Sequence, residues 1–155
     1  MKMNTINDNY NIPSNSIGEI TENFINNIQA AQELGQEFMF QTLMDYGSNL
    51  GAFPKELMTM ENKIHGCQST VYIIAEKRDG RLFFKGYADS KLVQGQVAIL
   101  LSILDGQLAE DIINNSKQQL DKFVDSTNMI TSLSPSRQNA FGSMYEHAKK
   151  LANSL

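Results

Sequence analysis

Cys67 is the only cysteine in the chain, and it lies in the run Lys63-Ile64-His65-Gly66-Cys67-Gln68-Ser69. A free cysteine is most often a small buried hydrophobe. This one follows a glycine, ends a long polar loop and has His65, Gln68 and Ser69 as neighbours, just before a β-branched stretch able to hold it rigidly. The chemistry open to such a group is nucleophilic attack by its thiolate. A thiol of pKa about 8.5 is only a few per cent ionised at neutral pH unless a nearby cation or aimed N–H group helps. Residue type alone leaves both readings open, packing cysteine and nucleophile.

Arg137 is the second unusual residue. Ala140, Phe141, Met144, Tyr145, Ala148 and Leu151 form one apolar helical face, and a step of about 100° per residue puts Arg137 near its middle. That arginine also sits in a first turn, where the macrodipole disfavours a cation. It either reaches a carboxylate or helix-end carbonyls at the edge of the core, or it contacts an anion or partner near the Cys67 loop. His147 lies at the border of the same face and reads as structural. Asp89 follows a strand at a helix start, where capping explains it, and either Asp89 or Ser90 can cap that helix.

Several other chemistries lose their support. His65 and Cys67 are two apart, with Glu61 nearby, which is too few ligands for a metal site, so no metal is expected. There is no glycine-rich phosphate loop, His-Glu-x-x-His, Gly-x-Ser-x-Gly or calcium loop. One cysteine makes no internal disulfide and no Cys-rich zinc site. With 13 Lys+Arg against 17 Asp+Glu the formal charge is −4, and no run of like charge exceeds a pair, so no nucleic-acid partner is expected. The first 30 residues lack the apolar core of a signal peptide, and no stretch reaches the roughly 18 apolar residues of a membrane span. The expectation is a soluble chain with no membrane partner, in a reducing compartment, most simply the cytoplasm. A Cys-dependent hydrolase would pair Cys67 with His65 or His147 and need an oxyanion hole. A non-catalytic adaptor would leave Cys67 inert.

The elements that must position these residues follow from periodicity. The length of 155 residues and 41% hydrophobic content suit one domain. Residues 1–15 are Asn-rich and weakly apolar, which predicts a disordered tail ahead of a single domain over 16–155. Ser16 and Glu19 form a capping box for a helix to about Ala31. A second helical pattern, Phe38 to Leu50, stops at Gly47, Gly51 and Pro54, and the two pieces are either separate or one unit bent around Gly35. Residues 52–69 predict a long loop with one helical turn. Thr70–Glu76 and Arg81–Tyr87 predict a hairpin around the turn Lys77-Arg78-Asp79-Gly80. Helices are expected from about Lys91 to Leu104, Ala109 to Asn114 and around Leu120 to Val124. The last runs to about Ala152, with Ser134 as N-cap and Pro135 at its first position. The fold class is α+β: a small antiparallel sheet built on a β-hairpin with helices packed against it.

Glu61 to Ser69, with the strand Val71 to Ala75, resembles the cysteine loop of the SufE family of sulfur acceptors. Leu133-Ser134-Pro135-Ser136-Arg137 resembles the family's C-terminal helix start, and Gly86 to Gly95 its strand-to-helix segment, with the likeness running in order over residues 36 to 152. Tyr87 and Ala88 depart from it, standing where many relatives are more polar, and the Asn-rich tail lies outside the pattern. The resemblance implies a SufE/IscU-like fold and a carrier that takes persulfide sulfur from a cysteine desulfurase onto Cys67. Such a carrier stimulates the desulfurase and passes sulfur to an iron–sulfur scaffold protein. It also implies that His65, Gly66, Gln68, Ser69, Asp89 and Arg137 support the loop or the docking surface. The chain would bind no cofactor of its own, pyridoxal phosphate belonging to the desulfurase, and would be a monomer or weak dimer. With one cysteine it lacks the several thiolates by which a scaffold holds iron.

Overall fold

The structure, a computed structural model, describes residues 10–66, 69–127 and 135–155, with side chains of the last segment from Ala140 onward. Helix α1 (Ile17–Leu34) opens on the expected capping box. The Glu19 amide donates to Ser16 Oγ and the Ser16 amide to Glu19 Oε1, each at 3.1 Å. Two orphan amides are thereby satisfied, and Ile17, Ile25 and Ile28 turn into the core. The helix continues past Ala31 and breaks at Gly35, whose φ of 119° favours glycine. Helix α2 (Gln36–Gly47) starts at the next residue, so the two patterns are separate helices joined by one glycine.

The hairpin consists of β1 (Val71–Arg78) and β2 (Arg81–Ala88), with Val71 opposite Ala88 and Arg78 opposite Arg81. Its turn is shorter than expected, two residues. Asp79 and Gly80 have φ of 51° and 78°, positive at both central positions as a tight twisted hairpin turn requires. Helix α3 (Lys91–Leu104) is buried almost all round and packs on the face of the hairpin that carries Gly86. Helices α4 (Ala109–Asn115), α5 (Lys117–Thr127) and α6 (Pro135–Ser154) complete the chain. Pro135 opens α6 as expected, while its predicted cap Ser134 lies outside the described residues. The architecture is the predicted α+β class, helices around a two-stranded antiparallel sheet. No helix among the described residues is long and apolar enough to cross a membrane.

A two-stranded sheet leaves both edges bare, and an unpaired buried amide or carbonyl costs about 1–3 kcal/mol. Here each edge is covered by a neighbouring piece of chain. Beside β2 the Leu82 amide donates to Gln107 O at 3.0 Å and the Gly106 amide to Leu82 O at 2.7 Å. The Phe84 amide donates to Asp105 Oδ1 at 2.7 Å, and the Arg81 guanidinium to Gly106 O at 2.8 Å. Beside β1 the segment Asn62–Ile64, which the sequence assigns to a loop, pairs antiparallel through Lys63 and Tyr72. Residues 10–15, part of the predicted tail, also lie against the hairpin. The Tyr10 hydroxyl donates to Glu76 Oε2 at 2.9 Å, and its ring meets Phe83 edge-on under the Arg78 guanidinium. One anchoring tyrosine among asparagines leaves no periodic signature, so composition alone reads as a tail.

Helices α2 and α3 cross where glycines allow it. A Cβ on Gly95 would fall inside contact of the Leu43 carbonyl, and one on Gly47 would lie 2.8 Å from the Gly95 amide nitrogen. Gly95→Ala should therefore cost about 3 kcal/mol by forcing the helices apart, read as a lowered denaturation midpoint. The carboxyl of Asp105 titrates differently from an exposed one. Burial raises it from 3.8 to about 6, although the Phe84 amide pulls the other way. The folded chain thus holds this proton more tightly than the unfolded one, a contribution complete below 3.8 and lost as the pH rises through about 6. Asp105→Asn should gain stability relative to the wild type as pH rises through that range, and show no such gain below it.

Candidate functional site

Residues 65–70 form the loop that joins Asn62–Ile64 to β1, and the base of this loop is tied from both sides. On the first side the Ile64 amide donates to Val71 O at 2.8 Å, and the Ile73 amide donates to Asn62 O at 3.2 Å. The Asn62 side chain donates to Leu57 O at 2.8 Å, fastening the incoming chain, and the Ile64 side chain is buried in the core. On the second side Thr70 is gripped by Asp89. The Thr70 amide donates to Asp89 Oδ1 at 3.0 Å, and the Asp89 amide donates to Thr70 O at 3.1 Å. The described residues on either side, Ile64 and Thr70, are thus held by hydrogen bonds at one end of the hairpin.

Of the two candidate caps, Asp89 and Ser90, Asp89 does not cap the helix. The N-cap of α3 is Ser90, which makes no side-chain cap bond, and the Asp89 carboxylate is spent on the loop. Capping residues and loop anchors look alike in sequence, because both are short acceptors beside a helix start. Gly66 has φ of 89°, a conformation that side chains with a Cβ rarely adopt, and a Cβ there would lie 3.6 Å from Ser143 Oγ of α6. Ser69 is half-buried and His65 exposed. Cys67 and Gln68 lie outside the described residues, as does the side chain of Arg137, which the backbone places in the first turn of α6. The structure thus gathers His65, Gly66, Ser69 and Asp89 at one end of the hairpin. It also fits the apolar face from which Arg137 was singled out, since Ala140, Phe141, Met144, Tyr145 and Ala148 are all buried.

Beside the loop stem runs an open groove of about 550 Å³, with Lys63, Ile64 and His65 on one wall and Ser143, Glu146, His147 and Lys150 of α6 on the other. Lys117 and Asp121, ion-paired at 2.8 Å, also line it. His147 stands between groove and sheet. Its Nε2 is 3.0 Å from Ile73 O, and because a carbonyl only accepts, Nε2 carries the proton. Burial chiefly holds the His147 pKa below 6.5, with Lys150 and His65 pushing the same way and the Ile73 carbonyl opposing. The ring is therefore neutral at neutral pH and completes the edge of β1, in keeping with its structural reading. Ser143, Lys63 and Lys150 were not singled out from sequence. The available signal was the spacing of Ser143, His147 and Lys150, which share one face of α6 at i, i+4 and i+7. Among the described residues no three His, Cys, Asp or Glu side chains are grouped to hold a metal.

The chain has recognisable relatives. The family model described as SufE, Fe-S metabolism associated domain, matches residues 22–152, a span that includes both Cys67 and Arg137. An uncharacterized SufE-like protein of Synechocystis is 34% identical over 107 residues, covering 69% of this chain and 65% of that protein, just under two thirds of its length. An uncharacterized SufE-like protein of Rhizobium meliloti is 33% identical over 120 residues, covering 75% of this chain and 84% of the relative. The sulfur acceptor protein CsdE of Escherichia coli is 29% identical over 113 residues, covering 71% and 74%. A solution structure of a hypothetical protein from Thermus thermophilus superposes with a TM-score of 0.62 over 86% of this chain and 93% of that one. At 14% identity that likeness concerns the fold.

The Asp89 anchor is directly testable. Asp89→Ala removes the charged acceptor of the Thr70 amide and should cost about 1–2 kcal/mol. The Thr70 amide should exchange with solvent much faster while core amides of α3 keep their relative protection. Unchanged exchange at Thr70 would remove Asp89 from the loop support.

Proposed function

The chain belongs to the SufE family, and from that premise we propose that it is a sulfur acceptor of iron–sulfur metabolism, with Cys67 as the residue that carries the sulfur. The observation that supports it most is the coincidence of the family match with a loop built around the only thiol and tied at both stems. The named activity of the E. coli relative, sulfur acceptance, points the same way.

In this reading the donor is a cysteine desulfurase bearing a persulfide on its own cysteine, and its pyridoxal phosphate stays with it. The Cys67 thiolate attacks the outer sulfur of that persulfide. The sulfur–sulfur bond breaks, the donor cysteine leaves as a thiolate, and Cys67 becomes Cys67–S–SH. Sulfur moves and a thiolate is regenerated, so no outside oxidant or reductant is consumed. Removing the persulfide frees the donor for its next turnover, which is how acceptance would stimulate the desulfurase. The same exchange, run onward, hands the sulfur to a scaffold protein. A monomer or weak dimer in the cytoplasm would suffice for this traffic.

Three features fit the chemistry. The rate of thiol exchange depends on access and on thiolate fraction, and His65 and Gly66, the described residues just before Cys67, are exposed. Arg137, in the first turn of α6, would favour an anionic sulfur or a docking contact. The absence of any second cysteine leaves no internal thiol to attack the persulfide and release the sulfur early.

Intact mass after incubation with a cysteine desulfurase, pyridoxal phosphate and cysteine tests the reading. The wild type should gain one sulfur atom, lost again on reduction, and Cys67→Ser should gain none while keeping its denaturation midpoint. A wild type that stays unmodified would favour the adaptor, with Cys67 inert. Hydrolysis of thioesters or peptides dependent on Cys67 and His65 or His147 would favour the hydrolase.

A further inference from the structure

The groove beside the loop stem differs electrostatically from the rest of the molecule. The chain carries a formal charge of −4, yet three lysines line this one groove against two carboxylates, a local excess of positive charge. Asp121 is already committed to Lys117 at 2.8 Å. Among the described residues Lys63 and Lys150 make no ion pair, and Glu146 is the only other carboxylate in the groove. Lys63 stands on the segment that covers β1 and Lys150 on α6, so each of these two elements contributes a cation to the groove.

Position gives this charge a use. The wall that carries Lys63 runs directly into Ile64 and His65, the stem of the Cys67 loop, and the opposite wall carries Ser143, the residue nearest Gly66. Whatever occupies the groove therefore touches the loop stem. We infer that the groove is a docking channel for an acidic segment of the protein that exchanges sulfur with Cys67, engaged by Lys63 and Lys150. The inference rests on the carrier reading and specifies the chemistry of the partner's surface. Exposed charges of this kind act mainly on the rate of encounter, and salt screens them over about 8–10 Å, so the signature is kinetic and salt-dependent.

The test follows the rate of sulfur transfer to full-length chain from a cysteine desulfurase that loads the wild type, at increasing salt. Lys63→Glu/Lys150→Glu should slow transfer roughly fivefold or more at low salt and flatten the salt dependence. Lys150→Glu alone, at an exposed helix position, should do so in part. Loading from a neutral alkyl persulfide, which needs no docking, should be the same in all three proteins. Wild-type rates and salt dependence in the variants would overturn the docking channel. So would an equal slowing with the alkyl persulfide, which would place the effect on the thiol instead. A wild type that no desulfurase loads, yet that the alkyl persulfide does, would overturn the carrier reading and the channel with it.

Discussion

The structure depends on covering the two edges of a single hairpin. Two strands alone cannot satisfy their outward amides and carbonyls, and the rest of the chain is arranged around that deficit. The turn after α3 covers β2, with Asp105 supplying a side-chain acceptor where the backbone supplies none, so that a buried carboxyl is kept in place at the cost of a raised pKa. The segment Asn62–Ile64 and the His147 ring cover β1. Once Asn62–Ile64 is committed to the edge, the chain must return to β1 through a short loop. That loop holds the only thiol.

The site is therefore a product of sheet architecture more than of a pocket. Its stems are backbone hydrogen bonds and one carboxylate. Hydrogen-bonded stems fix where the chain enters and leaves the loop. The close crossing of α2 and α3 through Gly47 and Gly95 serves the same end, because α3 begins next to Asp89 and its position sets where Thr70 is gripped.

Much of this was legible in the chain. Ser16 and Glu19 announced α1, Asp79-Gly80 announced the turn, and the β-branched run after Thr70 announced β1, because each signal acts over a few residues and owes little to the rest of the molecule. The family's cysteine motif was recognisable for the same reason. What escaped were partnerships across long separations. Asn62–Ile64 has no strand signature, since it pairs only because β1 has a free edge. Tyr10 is one ring in a polar stretch, and its contact with Phe83 needs the finished hairpin.

The sequence by itself determined that this chain has one thiol, set in a polar loop between a helical half and a hairpin, and that it belongs with the SufE family. Composition, local turn chemistry and motif spacing carry that information within short windows. Only the tertiary structure decided that Asp89 anchors Thr70 instead of capping α3, that His147 closes the edge of β1, and that Lys63 and Lys150 line one groove. Those facts rest on how three distant segments meet, and a hydrogen bond or a shared field exists only once packing has brought its partners within reach.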